Sequence, residues 1–412
     1  MTDVDVLIVG AGPAGSTAAY HLARAGHSVL VVEEHPNVGF PVQCAGLVSQ
    51  RVLERAQAPT IVRRPVHGAS VFSPSLRSVT FQATEPRAFV IDRAGLDIAL
   101  ADRAARAGAE YRLGTKFDRL GSGNGRTNVE LVDDDQGRCS IEARLVIGAD
   151  GVTSAVARAF RLRRPVEILP AFEAEFPQSP GDPDQVEVYL GQDISPGLFG
   201  WWIPDGSGGA RVGVAVTAGP VTARTYFERL VKLLERRFGE RLRNPTSYIV
   251  SGIPIGEIPT SVGPRVLLVG DAAAQVKPLS GGGIFLGMRC AELASEVAHQ
   301  ALRTGEVTAR SLEPYDRAWR AELGEEIARA LYLRRLFVRL TDSELERIIE
   351  ALNAAQLTAT IVAFGDIDFP SHVARQLLLQ SPSLVRLFPK ALGALWGSGG
   401  VRVPDLEPGP PR

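Results

Sequence analysis

Two glycine-rich segments stand 260 positions apart in this chain, counted from Gly10 to Gly270. The first, Gly10-Ala11-Gly12-Pro13-Ala14-Gly15, follows the apolar run Val4–Val9 and leads into an Ala-rich stretch, Ser16 to Arg24. That order is strand, turn, helix. Gly10 permits the tight turn, Gly12 lets a diphosphate approach the backbone, and Gly15 lets helix and strand pack closely. The helix start, with Pro13 and Ala14 beside it, offers free N–H groups and a partial positive charge to phosphate. Gly26 ends the helix, Ser28 to Val32 forms a second strand, and Glu33 closes it, 18 positions after Gly15. A carboxylate there accepts hydrogen bonds from the hydroxyls of an adenosine ribose. Glu34, its neighbour, reads as a solvated loop acid.

The second segment begins where the strand Val266–Val269 runs into Gly270-Asp271 and ends at Lys277-Pro278-Leu279-Ser280-Gly281-Gly282-Gly283-Ile284. Asp271 is placed to accept from a ribityl hydroxyl. Gly281 to Gly283 leave room for a flat ring and open a helix that runs to about Leu302. A helix N-terminus aimed at the pyrimidine edge favours the negative charge of a reduced flavin. Together the segments predict a flavin dinucleotide held from both ends, and with it redox chemistry.

Other residues carry two readings each. Cys44, in Pro41-Val42-Gln43-Cys44-Ala45-Gly46, is either a proton-donating thiol or a small buried residue. Arg93, at the start of a helix over Leu96–Ala107, either reaches the cofactor or is a surface charge. Asp150, in Leu145-Val146-Ile147-Gly148-Ala149-Asp150-Gly151, ends a buried strand as a cofactor contact or a simple turn. Pro196-Gly197-Leu198-Phe199-Gly200-Trp201-Trp202-Ile203-Pro204 could line a greasy tunnel or fill a sheet core. Cys139 and Cys290 read as structural.

The elements that must position these groups follow from the whole chain. Its 412 residues are 45% hydrophobic, enough for one large core or two coupled ones. Lys and Arg number 45 against 46 Asp and Glu, so no global field favours nucleic acid. Three cysteines give neither a disulfide framework nor a zinc site. The first strand starts too early for a signal peptide, and no apolar run approaches the roughly 20 residues of a membrane span. The expectation is a cytoplasmic protein, at most peripheral to the inner face of the membrane. The fold class expected is α/β with mixed α+β parts. Residues 1–165 and 250–305 form a Rossmann-like FAD-binding domain that includes a β-rich part around 66–91. Residues 166–249 form an antiparallel β-sheet substrate domain, 306–403 a helical C-terminal region, and 404–412 a proline-rich, disordered tail. The arginine-rich Arg329–Leu340 helix lies either on a bilayer or against the core with a solvated basic side. Asp366 and Asp368 organise the turn before Pro370.

Gly10–Gly15 with Glu33, Asp150-Gly151 and Gly270-Asp271 resemble the FAD-binding pattern of the p-hydroxybenzoate hydroxylase superfamily. Pro41–Gly46 and Asp271–Ile284 narrow the resemblance to the geranylgeranyl reductase family, and Gly365-Asp366-Ile367-Asp368-Phe369-Pro370 is similar to its archaeal digeranylgeranylglycerophospholipid reductases. The resemblance implies that Ala14, Glu33, Cys44, Ala45, Arg93, Asp271, Gly283 and Ile284 contact FAD. Leu47 stands where the family has a small residue, which narrows the space beside the cofactor. The family's Pro-x-x-Tyr-x-Trp-x-Phe-Pro pattern survives here as Pro196, Trp201 and Pro204, with Phe199 for Tyr and Ile203 for Phe. Phe199, Trp201, Trp202 and Pro204 are therefore the candidate substrate residues, and Cys44 the candidate catalytic one. The implied activity is FAD-dependent saturation of isolated C=C bonds in a polyprenyl group on a lipid, quinone, diphosphate or chlorophyll-like substrate. The alternatives are an aromatic monooxygenase and, less so, a flavin halogenase, whose early lysine is missing because the first lysine is Lys116. No second glycine fingerprint marks NAD(P)H, so the electron donor (NAD(P)H, ferredoxin or another) stays open.

Overall fold

The computed structural model describes residues 2–381 except 123–125, 136, 166, 240, 241, 243, 355 and 356, so the expected tail from Pro404 lies outside the described residues. The apolar runs beside the two glycine segments meet at the centre of one sheet. Thr2–Val9 pairs in parallel with Val29–Val32 on one side and Gly137–Gly148 on the other, and Val266–Leu268 adds in parallel beyond. Val6, Leu7 and Ile8 are wholly buried. Both faces are covered, which is why these strands read as continuous apolar runs. Glu110–Arg112 and Val262–Gly263 complete the main path, and Thr115–Leu120 and Thr127–Asp133 branch from it as an antiparallel pair, making eight strands.

The helices Pro13–Arg24 and Ile284–Thr304 pack against each other over one face of this sheet. The first begins at Pro13, three residues before the expected start, because proline lacks an N–H that the first turn would leave unbonded. Gly10 has φ +102°, and a Cβ there would stand 2.3 Å from the Ala149 carbonyl oxygen. A Cβ on Gly15 would stand 2.0 Å from the Gly10 oxygen. Both positions therefore exclude any larger residue. The parallel strands end together at Val9, Val32, Gly148 and Leu268, the edge of an α/β sheet at which ligands bind.

A second sheet stands over that edge. Its order is Ser247–Ile255, Glu167–Phe176, Ala210–Ala215, Gly200–Pro204, Gln185–Tyr189, Gly68–Phe72, Ser78–Gln82, antiparallel except where Gln185–Tyr189 meets Gly68–Phe72. The stretch around 66–91 was expected with the nucleotide-binding part. Instead Gly68–Phe72 and Ser78–Gln82 hydrogen-bond into this second sheet, and only Ala88–Ile91 leaves it, for a small sheet with Leu47–Val48 and Val62–Val66. The amphipathic helix Ala223–Phe238 covers one face, packing Phe227, Leu230 and Leu234 on Ala174, Phe176, Trp202, Val212 and Val214.

The C-terminal helices Ala309–Trp319, Glu325–Phe337, Asp342–Ala354, Thr358–Phe364 and Pro370–Gln380 close the remaining side. Arg334, on the helix expected to present a basic face, turns inward. It is 2% exposed and donates to the Gly197 carbonyl and, at 3.1 Å, to Glu167. Among the described residues no helix is long and apolar enough to cross a membrane.

Candidate active site

A cavity of about 810 Å³ lies between the C-terminal edge of the first sheet and the open face of the second. This is near the upper end for small-molecule sites. Gly10, Gly12, Pro13, Ala14 and Glu33 line one end. Glu33 Oε2 accepts from the Ala11 N–H at 2.8 Å, and His35 Nδ1 lies 2.6 Å from Oε1. The strand end and glycine turn thereby hold the carboxylate at the cavity wall. Gly12 meets nothing within 4 Å where a Cβ would be, so the backbone faces open space. Gly15 is buried behind this wall, where its part is the close packing of the turn.

Cys44, Ala45, Leu47, Arg93 and Asp150 line the middle. The Gly46 N–H donates to Cys44 Sγ at 3.5 Å. Arg93 begins the helix Arg93–Arg106, pairs with Asp97 one turn on at 2.6 Å, and interacts with the Cys44 thiol. It is a buried guanidinium whose Nε meets no acceptor among the described residues. The Asp150 carboxylate accepts from Ser154 Oγ at 2.7 Å and the Val156 N–H at 3.0 Å. Its turn role is thus present in the structure, on the cavity wall.

Gly270, Asp271, Gly281, Gly282, Gly283 and Ile284 line the far end. Asp271 is enclosed, and no hydrogen bond from any described residue reaches its carboxylate. Burial pushes it up to about 6, against the pull of Arg93. The glycines have neighbours of their own. A Cβ on Gly281 would stand 2.8 Å from Ile253, on Gly282 2.7 Å from the Lys277 chain, and on Gly283 2.9 Å from Asp271 Oδ1. Room for a ring is therefore not their sole cause. Pro278 is buried away from the cavity wall.

Phe199 and Trp201 line the cavity, with ring centroids 6.4 Å apart and edge to face. Trp202 and Pro204 do not. Successive strand side chains alternate between faces, so Trp202 is wholly buried against Phe238 on the helix side, and Pro204 shares that face. Reading the Trp-Trp pair as one patch overlooked this period of two.

Sequence reasoning also missed Glu173, which lines the cavity and is 3% exposed. The signal that could have pointed to it is its place on the strand Glu167–Phe176, two positions from Ala171, which also lines the cavity. Lys277, Arg51 and the two C-terminal aspartates form a further cluster. Lys277 Nζ donates to Asp368 at 3.1 Å and to the Ile367 carbonyl at 2.7 Å, while Arg51 grips Asp366 through two 2.9 Å bonds. The aspartates do shape their turn, the Asp368 N–H donating to Asp366. They also tie the C-terminal segment to the cavity, which spacing alone did not reveal.

These features fit a flavin dinucleotide. Two of the helices that begin at the cavity, at Gly12 and Gly283, start without a capping side chain. Their free N–H groups suit a diphosphate at one end and an electron-rich ring at the other. Asp271 is a half-buried acceptor on the cavity wall to which no described residue donates, as a hydroxylated chain would require.

Comparison with known proteins agrees. The family model described as an FAD binding domain matches residues 3–329. Digeranylgeranylglycerophospholipid reductase 2 of Methanothermobacter thermautotrophicus is 33% identical over 86% of this chain and 93% of its own. The digeranylgeranylglycerophospholipid reductase of Methanocaldococcus jannaschii is 33% identical over 94% and 98%. A geranylgeranyl bacteriochlorophyll reductase-like protein from Thermoplasma acidophilum superposes with a TM-score of 0.81 over 96% of this chain and 99% of its own, at 24% identity, a likeness of fold. The chain therefore belongs to the FAD-binding domain family and, within it, to the geranylgeranyl reductases, and it is an FAD-dependent oxidoreductase.

Proposed function

We propose that this protein saturates isolated C=C bonds of a geranylgeranyl-type polyprenyl chain carried on a glycerophospholipid. The observation that carries the reading is the two-part wall of the cavity. One half is polar and suits FAD. The other is built from Phe199, Trp201, Leu198, Ile203, Val186 and Val188, an apolar surface for a polyprenyl chain. The names of the relatives supply the lipid.

In this reading Gly10, Gly12, Pro13, Ala14 and Glu33 hold the adenosine diphosphate end, and Asp271 with the Ile284 helix start holds the ribityl chain and ring. Cys44, Ala45, Leu47 and Arg93 sit at the junction. Reduced FAD, when bound, supplies hydride. The residues around it keep water from the apolar chain and hold that chain in reach. The aromatic faces of Phe199 and Trp201 stabilise positive charge developing on a tertiary carbon. Two groups on the wall can carry the proton, the Cys44 thiol and a buried carboxyl of the second sheet. Because the substrate resides in a bilayer, the protein is expected to float with phospholipid vesicles.

The test is anaerobic. Dithionite-reduced protein is mixed with an unsaturated archaeal-type ether lipid, and the flavin spectrum and lipid mass are followed. Reoxidation with a gain of two hydrogens per double bond supports the reading. Reoxidation only by oxygen, with hydroxylation of an aromatic compound, would replace it with the monooxygenase alternative.

A further inference from the structure

Alkene hydrogenation needs a proton as well as a hydride, and the second sheet holds a buried carboxyl on the cavity wall. Glu173 lies in the middle of Glu167–Phe176, on the face that Ala171 also turns to the cavity. Its register partner on the next strand is Gly213, whose own partner beyond is Trp201. The three stand in one row. A Cβ on Gly213 would lie 2.4 Å from the Trp201 ring, so the glycine makes the channel through which the indole crosses to Glu173. Trp201 Nε1 then donates to Glu173 Oε2 at 2.6 Å. Oε1 is buried and has no partner among the described residues. A mere acceptor for the indole needs one oxygen and no charge. A carboxylate with one oxygen shut away from solvent and unpaired is costly, and a proton on the group removes the charge that makes it so.

We propose, resting on the reductase reading, that Glu173 is the acid that protonates the alkene, its Oε2 held by Trp201 across Gly213 at the cavity wall. One alkene carbon takes the Glu173 proton, the π pair becoming the new C–H bond. Reduced FAD, when bound, would supply the hydride for the other carbon and the two electrons of the reduction. Glu173 is left as a carboxylate and regains its proton from water when product leaves. Burial pushes this carboxyl up to about 7, with Trp201 and Arg211 pulling down and Glu175 pushing up. On the other flanking strand Ile249 faces it and brings no charge. The rest of the cavity wall carries charges of both signs, Arg87, Arg93, Lys116, Arg158 and Lys277 against Glu33, Glu34, Asp97, Asp150, Glu187, Asp271 and Asp366. The proton is held below neutral pH and lost as pH rises through about 7.

The test uses FAD-loaded protein and Glu173→Gln, whose amide oxygen still accepts from Trp201. Two readouts are expected. Infrared difference spectra of the wild type show a protonated carboxyl band that titrates away near neutral pH and is missing from E173Q. Turnover of the polyprenyl lipid falls about 10²- to 10⁴-fold, the residual rate loses the alkaline limb, and FAD content and reduction by dithionite are unchanged. Glu173→Asp restores part of the rate. Full activity in E173Q, with loss in Cys44→Ala, overturns the assignment in favour of the thiol. So does a Glu173 band that is already ionised well below neutral pH. Wild-type protein that saturates no polyprenyl lipid overturns the functional reading and this assignment together, which separates the two failures.

Discussion

At the residue scale two carboxyls of the cavity wall, Asp271 and Glu173, have opposite needs. Asp271 has no donor, and its ionised form is disfavoured until one arrives. A carboxyl raised from 3.8 to about 6 favours the folded state when protonated. The stability it contributes is present at low pH, falls as pH rises from about 4 to 6, and above that the ionised group is a net cost, on the order of 3 kcal/mol. Asp271→Asn should therefore raise the melting temperature of FAD-free protein at pH 7 while lowering the FAD retained on gel filtration. An unchanged FAD content would remove Asp271 from the cofactor's partners. Glu173 differs because Trp201 already holds one oxygen, and that bond lowers its pKa. Trp201→Phe should move the alkaline limb of the rate profile to higher pH and weaken substrate binding. A limb that stays in place would mean another group sets it. Asp271 was legible because an apolar strand, its Gly-Asp end and the triple glycine that follows form a local pattern within 20 residues. Glu173 was not, because the sequence of a strand does not say which of its faces meets water.

At the scale of elements, sheet alternation separates two tryptophans that are neighbours in the chain. Trp202 belongs to the layer between the second sheet and the helix Ala223–Phe238, with the Phe238 ring centroid 5.1 Å away. Trp202→Ala should cost about 3–5 kcal/mol of stability, the usual range for emptying such a site. The KM for the lipid should be unmoved, and a selective rise in KM without a loss of melting temperature would return Trp202 to the substrate wall. The strand-turn-helix around Gly10 was readable because tight turn chemistry leaves a local signature. The β-rich character of 66–91 was readable too, but not the strand with which Gly68–Phe72 pairs. Gln185–Tyr189 lies over a hundred residues away, and no local pattern encodes a pairing at that separation.

At the scale of the whole molecule, the same cavity is closed by a segment that joins it from the far end of the chain. Ile361, Val362, Ile367 and Val373 line it, and Asp368 locks this segment to Lys277, the residue whose stem occupies the space that Gly282 leaves. Asp368 is 1% exposed and Lys277 6%, so the pair is sheltered from solvent. Removing one member of such a pair strands the other charge, which typically costs 3–5 kcal/mol, whereas replacing both by apolar residues of similar size is often neutral. Asp368→Ala is thus expected to speed limited proteolysis between residues 365 and 370 and to expose bound FAD to a collisional fluorescence quencher. The double substitution Lys277→Met with Asp368→Leu should recover protease resistance. If the single variant is cut and quenched no faster than wild type, Arg51 and its bidentate hold on Asp366 suffice to keep the segment shut. If the double variant stays as exposed as the single, the pair contributes more than charge neutralisation. Lys277 would then act through its bond to the Ile367 carbonyl, fixing the backbone of the closing segment against the cofactor end of the cavity.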